Sequence, residues 1–363
     1  MAYPLLLHGK HLGDQVTYQP FGSWIVPWQF HTDANEYDAL RAATGLIDFS
    51  TLGGLTVAGA DRTTFLQNLL TNDVARLAPG SGCRAALVTN TVKLVADFVV
   101  LAEEEALQLL CDATRLDDAA KLLAKHHVAE QVTVTNRERS QAVLALQGPR
   151  AIESLIQITG RVISLPGTGD HSQSWFENIP VRLVRYSLIG EVGVLCLVAA
   201  EQAETAWAFL LERGRAHGLR PVGYEALNTA RIECGYPWYG HDMDETNLLP
   251  ETGLDADAVS DRKGCYLGQE IIARMATQGS PSKKLMGLSV EGMTVPEEGD
   301  PILKGSTEVG RVTSACMSPR LGRPLALGYL KRGAYEAGTA VQILRGKTVL
   351  TAAVAALPFI PRR

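Results

Sequence analysis

The period of the apolar positions changes repeatedly along the chain, and the changes outline its parts. Residues 16–18 and 23–27 alternate in the manner of two strands, and a helix opens at Asp33, runs to about residue 43 and ends at Gly45. Leu55-Thr56-Val57 is a short strand. Asp61 stands where it would cap a helix over 63–70, whose Phe65, Leu66, Leu69 and Leu70 fall at helical spacing and so form core. Three strands are predicted over 85–89, 94–101 and 106–111, the last two joined by the solvated acidic turn Glu103-Glu104-Glu105. Asp112 opens a helix to about His126, and residues 132–135 are a further strand. A second round begins at 143–146, closed by Gly148-Pro149, with strands over 182–186 and 193–198 and a long helix over 200–214. Strands alternating with helices describe a mixed α/β or α+β body.

After a helix predicted over 268–276, the helical period disappears. Ser280-Pro281-Ser282-Lys283-Lys284 reads as a linker. Beyond it lie short strands with Gly and Pro punctuation, over 285–290, 301–303, 309–314, 326–329, 340–344 and 348–355. This predicts a body over residues 1–280, made of two intertwined α+β subdomains, and a small β-barrel domain over 285–363.

Composition narrows the class. A chain of 363 residues can hold two or three domains, and 46% apolar with 20% charged residues is ordinary for a soluble globular protein. A net charge of −5 with scattered signs argues against a strongly electrostatic nucleic-acid binder, so no direct nucleic-acid partner is expected. The cysteines Cys83, Cys111, Cys196, Cys234, Cys265 and Cys316 form no CxxC pair and no zinc-spaced cluster with histidine. Reduced thiols and no metal site are the expectation. No apolar run approaches the ~20 residues that span a bilayer. The start of the chain lacks the basic region and length of a signal peptide. The expected location is the cytoplasm, without a membrane partner.

Three stretches carry candidate chemistry. Lys263-Gly264-Cys265-Tyr266-Leu267-Gly268-Gln269-Glu270, preceded by Asp261-Arg262, sets a lone cysteine among cationic side chains just before a helix. Both neighbours favour a thiolate, although a single cysteine at such a place is also an ordinary small buried apolar residue. The second stretch is Arg231-Ile232-Glu233-Cys234-Gly235-Tyr236-Pro237, continuing through Tyr239, Gly240, His241 and Asp242 to Thr246. Arg231 ends an apolar-periodic helix, where it either clamps a carboxylate or planar ligand or pairs with Glu225 or Glu233. The acids Asp242, Asp244 and Glu245 read as turn caps. The third stretch is Gly190-Glu191-Val192-Gly193, a glutamate at a glycine-flanked strand turn. Its carboxylate suits an amino-pyrimidine edge with adjacent N–H donors, though the same tetrapeptide alone is an ordinary hairpin. No phosphate loop or GxGxxG unit is present, so a nucleotide-dependent reading has no support.

The octapeptide around Cys265 resembles the signature of the YgfZ-type folate-binding proteins, relatives of the glycine-cleavage T-protein (GcvT, an aminomethyltransferase). Further stretches are similar to T-protein landmarks: Gly45-Leu46-Ile47-Asp48-Phe49-Ser50, Gly59-Ala60-Asp61, Phe65-Leu66-Gln67, Leu70-Thr71-Asn72-Asp73-Val74, Leu146-Gln147-Gly148-Pro149, Gly190-Glu191-Val192-Gly193, Arg231-Ile232-Glu233, Val312-Thr313-Ser314 and Leu357-Pro358-Phe359. The resemblance spans about residues 5–360. It implies an α+β, T-protein-like cloverleaf of three domains around a central cavity for tetrahydrofolate or a one-carbon-substituted folate. It also implies that Glu191 grips the pterin, that Arg231 and Tyr239 bind alongside it, that Cys265 is the functional thiol tuned by Lys263, and that Asp97 supplies the cavity carboxylate.

Two departures from the T-protein pattern bear on activity. Where T-proteins have a Gly-Gly turn and then two adjacent aspartates, this chain reads Val92-Lys93-Leu94-Val95-Ala96-Asp97, so that the turn is lost and the first aspartate is Ala96. A pocket tyrosine three residues before the glutamate is here Leu188. The resemblance therefore implies support of iron–sulfur enzyme maturation or repair, indirectly affecting tRNA modification, with iron–sulfur client proteins as partners. A folate-dependent aminomethyl or one-carbon transferase is the alternative, and a non-catalytic scaffold is a third.

Overall fold

The alternating segments pair into three sheets and a closed barrel in the computed structural model, which describes residues 2–11, 15–31, 35–138 and 140–361. A six-stranded sheet runs in the order His171–Phe176, Ile179–Arg185, Gly193–Ala199, Gln141–Gln147, Thr44–Asp48, Leu219–Pro221. A five-stranded sheet runs Gly82–Val88, Leu94–Ala102, Ala106–Asp112, Leu52–Ala58, Thr133–Asn136. The pairs are antiparallel except that Leu219–Pro221 lies parallel to Thr44–Asp48. Consecutive strands Thr44–Asp48 and Leu52–Ala58 belong to different sheets, so the short turn through Phe49, Ser50 and Thr51 stitches the two halves together.

Strand Leu94–Ala102 shows how alternation assigns its residues. Ala96, Phe98 and Val100 pack with Phe65, Leu66, Leu116 and Leu123 in the core beneath the five-stranded sheet. Val99 and Leu101, on the other face, join Ile47, Phe49, Val143, Leu195 and Tyr224 in a core shared with the six-stranded sheet. Asp97 falls on this second face, between the two sheets.

Most expected elements appear with shifted ends. The opening hairpin is Val16–Phe21 with Trp24–Phe30, joined by Tyr3–Pro4. Asp33 lies outside the described residues; the helix Glu36–Ala42 that follows is capped by Asn35, whose side chain accepts from Asp38 N. Gly45 does not end that helix but sits inside a strand buried along its whole length, which leaves no alternation to read. Asp61 precedes helix Arg62–Leu69 without a side-chain cap bond and instead accepts from Gln131 N at 2.7 Å. Helix Ala151–Thr159 and strand His171–Phe176 were not anticipated; the strand is an edge strand, half polar.

The barrel closes in the order Lys283–Val290, Arg323–Lys331, Thr307–Ser318, Pro301–Lys304, Ala340–Arg345, Thr348–Ala355, which leaves no open sheet edge. Lys283 and Lys284, expected in a linker, already belong to its first strand. Leu288, Val290, Ile302, Val312 and Ile343 fill its interior. A second cluster of Ile232, Leu285, Cys316, Leu325 and Leu327, with Leu357 and Phe359 of the tail, fastens the barrel to helix Tyr224–Glu233. Gly287 lets the tail lie down here, since a Cβ at that position would stand 2.6 Å from the Phe359 ring. Among the described residues no helix is long and apolar enough to cross a membrane.

Candidate functional site

Two adjoining hollows, an inner and an outer lobe, lie between the two sheets, the opening hairpin and the loop after helix Tyr224–Glu233. The inner lobe, about 40 Å³, is lined by Phe49, Asp97, Val99, Tyr186, Leu188, Tyr236, Trp238 and Tyr239 among others. The outer lobe, about 150 Å³, shares Thr51, Asp112, Trp238 and Tyr239 with the inner one and adds Phe21, Trp24, Tyr224 and His241. Aromatic rings alternate in the walls with aliphatic side chains and with polar groups such as Thr51, Asp112, Thr114 and Arg115.

Asp97 is one of two carboxyls in the inner lobe, the other being Asp112. Its Oδ2 accepts from Arg84 Nη2 at 2.5 Å, whereas its Oδ1 is buried with no hydrogen-bond partner among the described residues. Burial pushes the carboxyl above the usual aspartate range, and the Arg84 guanidinium pulls against that rise. Beside this pair the hydroxyls of Tyr186 and Tyr236 hydrogen-bond to each other, and the Arg84 guanidinium lies 5.0 Å from the centroid of the Tyr236 ring. Ala96 points into the opposite core. The missing first aspartate therefore takes no carboxylate from the cavity wall.

The turn before Asp97 also survives its sequence. Val92 takes φ +65°, a left-handed conformation costly for a β-branched residue. Its amide donates to Thr89 O at 2.9 Å, and Thr89 N donates to Lys93 O at 2.9 Å, so a tight turn forms without glycine. The buried Val92 side chain offsets the strain by packing with Leu94, Met243, Leu249, Tyr266 and Ile272. The turn expected to be lost is present, held by packing.

Tyr239 stands in the wall of both lobes. The Arg115 guanidinium lies 4.8 Å from its ring centroid, and its hydroxyl donates to Glu245 Oε2 at 3.2 Å. Arg115 is anchored in turn by its Nε, which donates to Val95 O at 3.0 Å. Burial pushes the Tyr239 phenol and the Asp112 carboxyl up, so the first keeps its proton at neutral pH and the second resists losing its own. His241 is pushed down to about 4 by burial, with Arg231 adding to the effect and Asp242 opposing it.

Arg231 and Glu191 do not stand with Asp97 among the lining residues of either lobe. Arg231, 1% exposed, has each of its three nitrogens hydrogen-bonded within the protein. It pairs with Asp242 and donates to Asn228 Oδ1 at 2.9 Å, Tyr236 O at 3.1 Å and Ser314 Oγ at 2.7 Å. Its acidic partner is thus Asp242, and neither Glu225 nor Glu233. Glu233 instead takes Arg41 at 2.5 Å, with Tyr37 and Ser318 donating to it as well. Glu191 is buried 3.7 Å from Arg41 and 3.9 Å from Arg320, in a second charged cluster beside the barrel.

The octapeptide is mostly spent on structure. Lys263 Nζ donates to Gln67 O and Leu70 O at 2.6 Å and to Asn72 O at 3.0 Å, which closes the C-terminal end of helix Arg62–Leu69. Burial pushes this ammonium down to about 8, against the pull of Asp73 and Cys83. Tyr266 packs on Val92. Gly268, at φ +83°, lies against the 88–92 turn, where an added Cβ would meet Val88 and Val92 at 3.2 Å. The middle of the motif is open, as is Glu270 at its end: Cys265 is exposed, and nothing lies within 4 Å of a Cβ built on Gly264. Lys263 therefore serves the helix end with its charge, while Cys265 is displayed to solvent.

A larger cleft, about 760 Å³, lies elsewhere, lined by Trp28, Phe30, Glu36, Tyr37, Glu225 and Cys316 among others. Its buried carboxylate Glu36 is satisfied by Phe30 N and Gly223 N. The Tyr37 hydroxyl is committed to Glu233, so among the described residues of this cleft no buried polar side-chain atom is left without a partner.

Comparison with known proteins agrees with this architecture. The family model described as GCVT N-terminal domain matches residues 7–261, and the glycine cleavage T-protein C-terminal barrel domain matches residues 283–360. The chain belongs to the GcvT family. The aminomethyltransferase of Shouchella clausii is 32% identical over 345 residues, covering 94% of this chain and 93% of the relative. That of Bacillus pumilus is 30% identical over 344 residues, covering 94% of each. The glycine cleavage system aminomethyltransferase T of Bartonella henselae superposes with a TM-score of 0.90 over 100% of this chain and 99% of its own, at 22% identity, a likeness of fold. Arg84, Tyr186 and Tyr236 stand beside Asp97, although the sequence marked none of them as a candidate and Tyr236 appeared only as part of the stretch after Arg231. The one signal for Arg84 was a lone charge in the apolar strand Gly82–Val88.

Proposed function

We propose that the cavity binds a reduced folate, its pterin ring in the inner lobe, and that this GcvT-family chain acts as a YgfZ-type folate-binding protein. The observation that carries this reading is Asp97, whose unpartnered buried Oδ1 belongs to an aromatic-walled lobe. A buried acceptor without a partner costs about 1–3 kcal/mol, more for a charged group, and a ligand N–H removes that cost. Reduced pterins carry ring N–H groups, and the faces of Trp238 and Tyr239 suit a flat ring. The inner lobe as it stands has room for only a few waters, so Leu188 and its neighbours move aside on binding. When bound, tetrahydrofolate supplies the nitrogen that carries a one-carbon unit. The chain's own part is to hold the ring, exclude water and keep Asp97 against that region.

In the same reading the displayed Cys265 faces iron–sulfur client proteins in a reducing cytoplasm, and tRNA modification follows from those enzymes. The test is tetrahydrofolate binding by Asp97→Asn and wild type, together with iron–sulfur enzyme activity in cells that carry Cys265→Ser as their only copy. Tight binding by wild type alone and loss of iron–sulfur activity with Cys265→Ser are expected. Full iron–sulfur activity with Cys265→Ser would sink the thiol's role.

The second reading, aminomethyl transfer to tetrahydrofolate, is favoured by the named relatives over 94% of the chain. Turnover with an aminomethyl donor on a lipoyl group would decide for it over the first.

A further inference from the structure

The two oxygens of Asp97 have unequal surroundings. Oδ2 is held by Arg84 at 2.5 Å, and Oδ1 has no partner among the described residues. Arg84 is itself 7% exposed, leans on the Tyr236 ring, and has Asp257 3.9 Å from its Nη1. The remaining titratable groups that act on or feel Asp97 are the linked hydroxyls of Tyr186 and Tyr236 and the Cys111 thiol, with Asp112 and Arg115 in the same lobe. Of all these, Arg84 is the cation in contact with Asp97. Without it a buried carboxylate beside Asp257 and Asp112 would take up a proton, because desolvation and like charges both disfavour the anion. Its free oxygen could then present an O–H to the cavity in place of a lone pair.

We propose that Arg84 is a positioning and specificity residue: by gripping Oδ2 it keeps Asp97 a carboxylate and leaves Oδ1 as an acceptor, so the lobe selects ligands that offer an N–H there over ligands that offer a lone pair. The proposal rests on the folate reading of the cavity. Tetrahydrofolate presents N–H at ring positions where fully oxidised folic acid presents lone pairs, so the consequence is preference for the reduced ligand. Discrimination follows because a wrongly matched buried acceptor stays unpaired.

Two measurements separate this proposal from the reading beneath it. Infrared difference titration of ligand-free protein detects the protonated carboxyl band that Asp97→Asn removes. Wild type should lack that band at pH 7, Arg84→Met should show it, and Arg84→Lys should suppress it again. Dissociation constants for tetrahydrofolate and folic acid are then taken from pH 6 to pH 8. Wild type should prefer tetrahydrofolate by about tenfold or more at every pH. Arg84→Met should lose that preference at pH 6 and regain it as rising pH ionises Asp97. A protonated Asp97 in wild type at pH 7, or an Arg84→Met protein with unchanged band and pH-independent preference, overturns the proposal; the wild-type measurement stands even if Arg84→Met does not fold. Infrared results as expected, with no binding of either folate, would overturn the folate reading and the specificity built on it while upholding Arg84's control of the Asp97 charge.

Discussion

Asp97 is one atom short of satisfaction, and the proposed folate site is centred on it for that reason. Asp97→Asn keeps the shape of the side chain but replaces a charged acceptor, so tetrahydrofolate affinity should fall about ten- to a hundredfold by calorimetry, the worth of a charge-assisted hydrogen bond. His241 makes a different, pH-dependent claim. Its folded value is depressed to about 4 by burial, against an ordinary value of 6.5. Between those values the unfolded chain binds the extra proton, so stability falls as pH drops from 6.5 to 4, by up to about 2–3 kcal/mol. Urea midpoints at pH 7, 5 and 4 should show that fall in wild type and a flatter profile in His241→Phe.

Helix Arg62–Leu69 ends on Lys263, which lies 191 to 196 residues further along the chain than the carbonyls it holds. Lys263→Met strips three carbonyls of a shared charged donor and should cost about 2–4 kcal/mol, with faster amide exchange through residues 66–74. A thiol-tuning role alone would leave exchange in that helix unchanged. At this scale the chain was legible wherever an element buries one face, as in the amphipathic helix Leu116–His126 and the barrel strands. It was illegible at Thr44–Asp48, buried on both faces, and at the Val92 turn, where a β-branched residue takes a conformation that sequence rules assign to glycine. The octapeptide was legible as a motif, but its division into a structural lysine and an exposed cysteine depends on long-range contacts that no local pattern encodes.

The barrel and the body are joined through buried polar groups as well as apolar ones. Arg231 and Asp242 pair in the body and reach the barrel through Ser314 and Thr313, while Glu233 takes Ser318. Arg231→Met leaves Asp242 buried beside only neutral donors and should cost about 3–5 kcal/mol, with the barrel and body melting as separate steps in calorimetry. The sequence marked Arg231 as special yet gave it a ligand, because a clamp for a carboxylate looks the same whether that carboxylate is foreign or is Asp242. The GcvT-like fold with its C-terminal barrel was readable from the family landmarks, and the structure puts Asp97 in the wall of the inner lobe. Arg84 was not, since its meaning lies only in the register of Gly82–Val88 against Leu94–Ala102.

The most direct test of the central claim is calorimetric titration of tetrahydrofolate into wild type and Asp97→Asn, both checked for equal thermal stability. Saturable binding by wild type, weakened at least about tenfold in Asp97→Asn, is the predicted result. Equal affinities in the two proteins, or no binding by wild type, would contradict it.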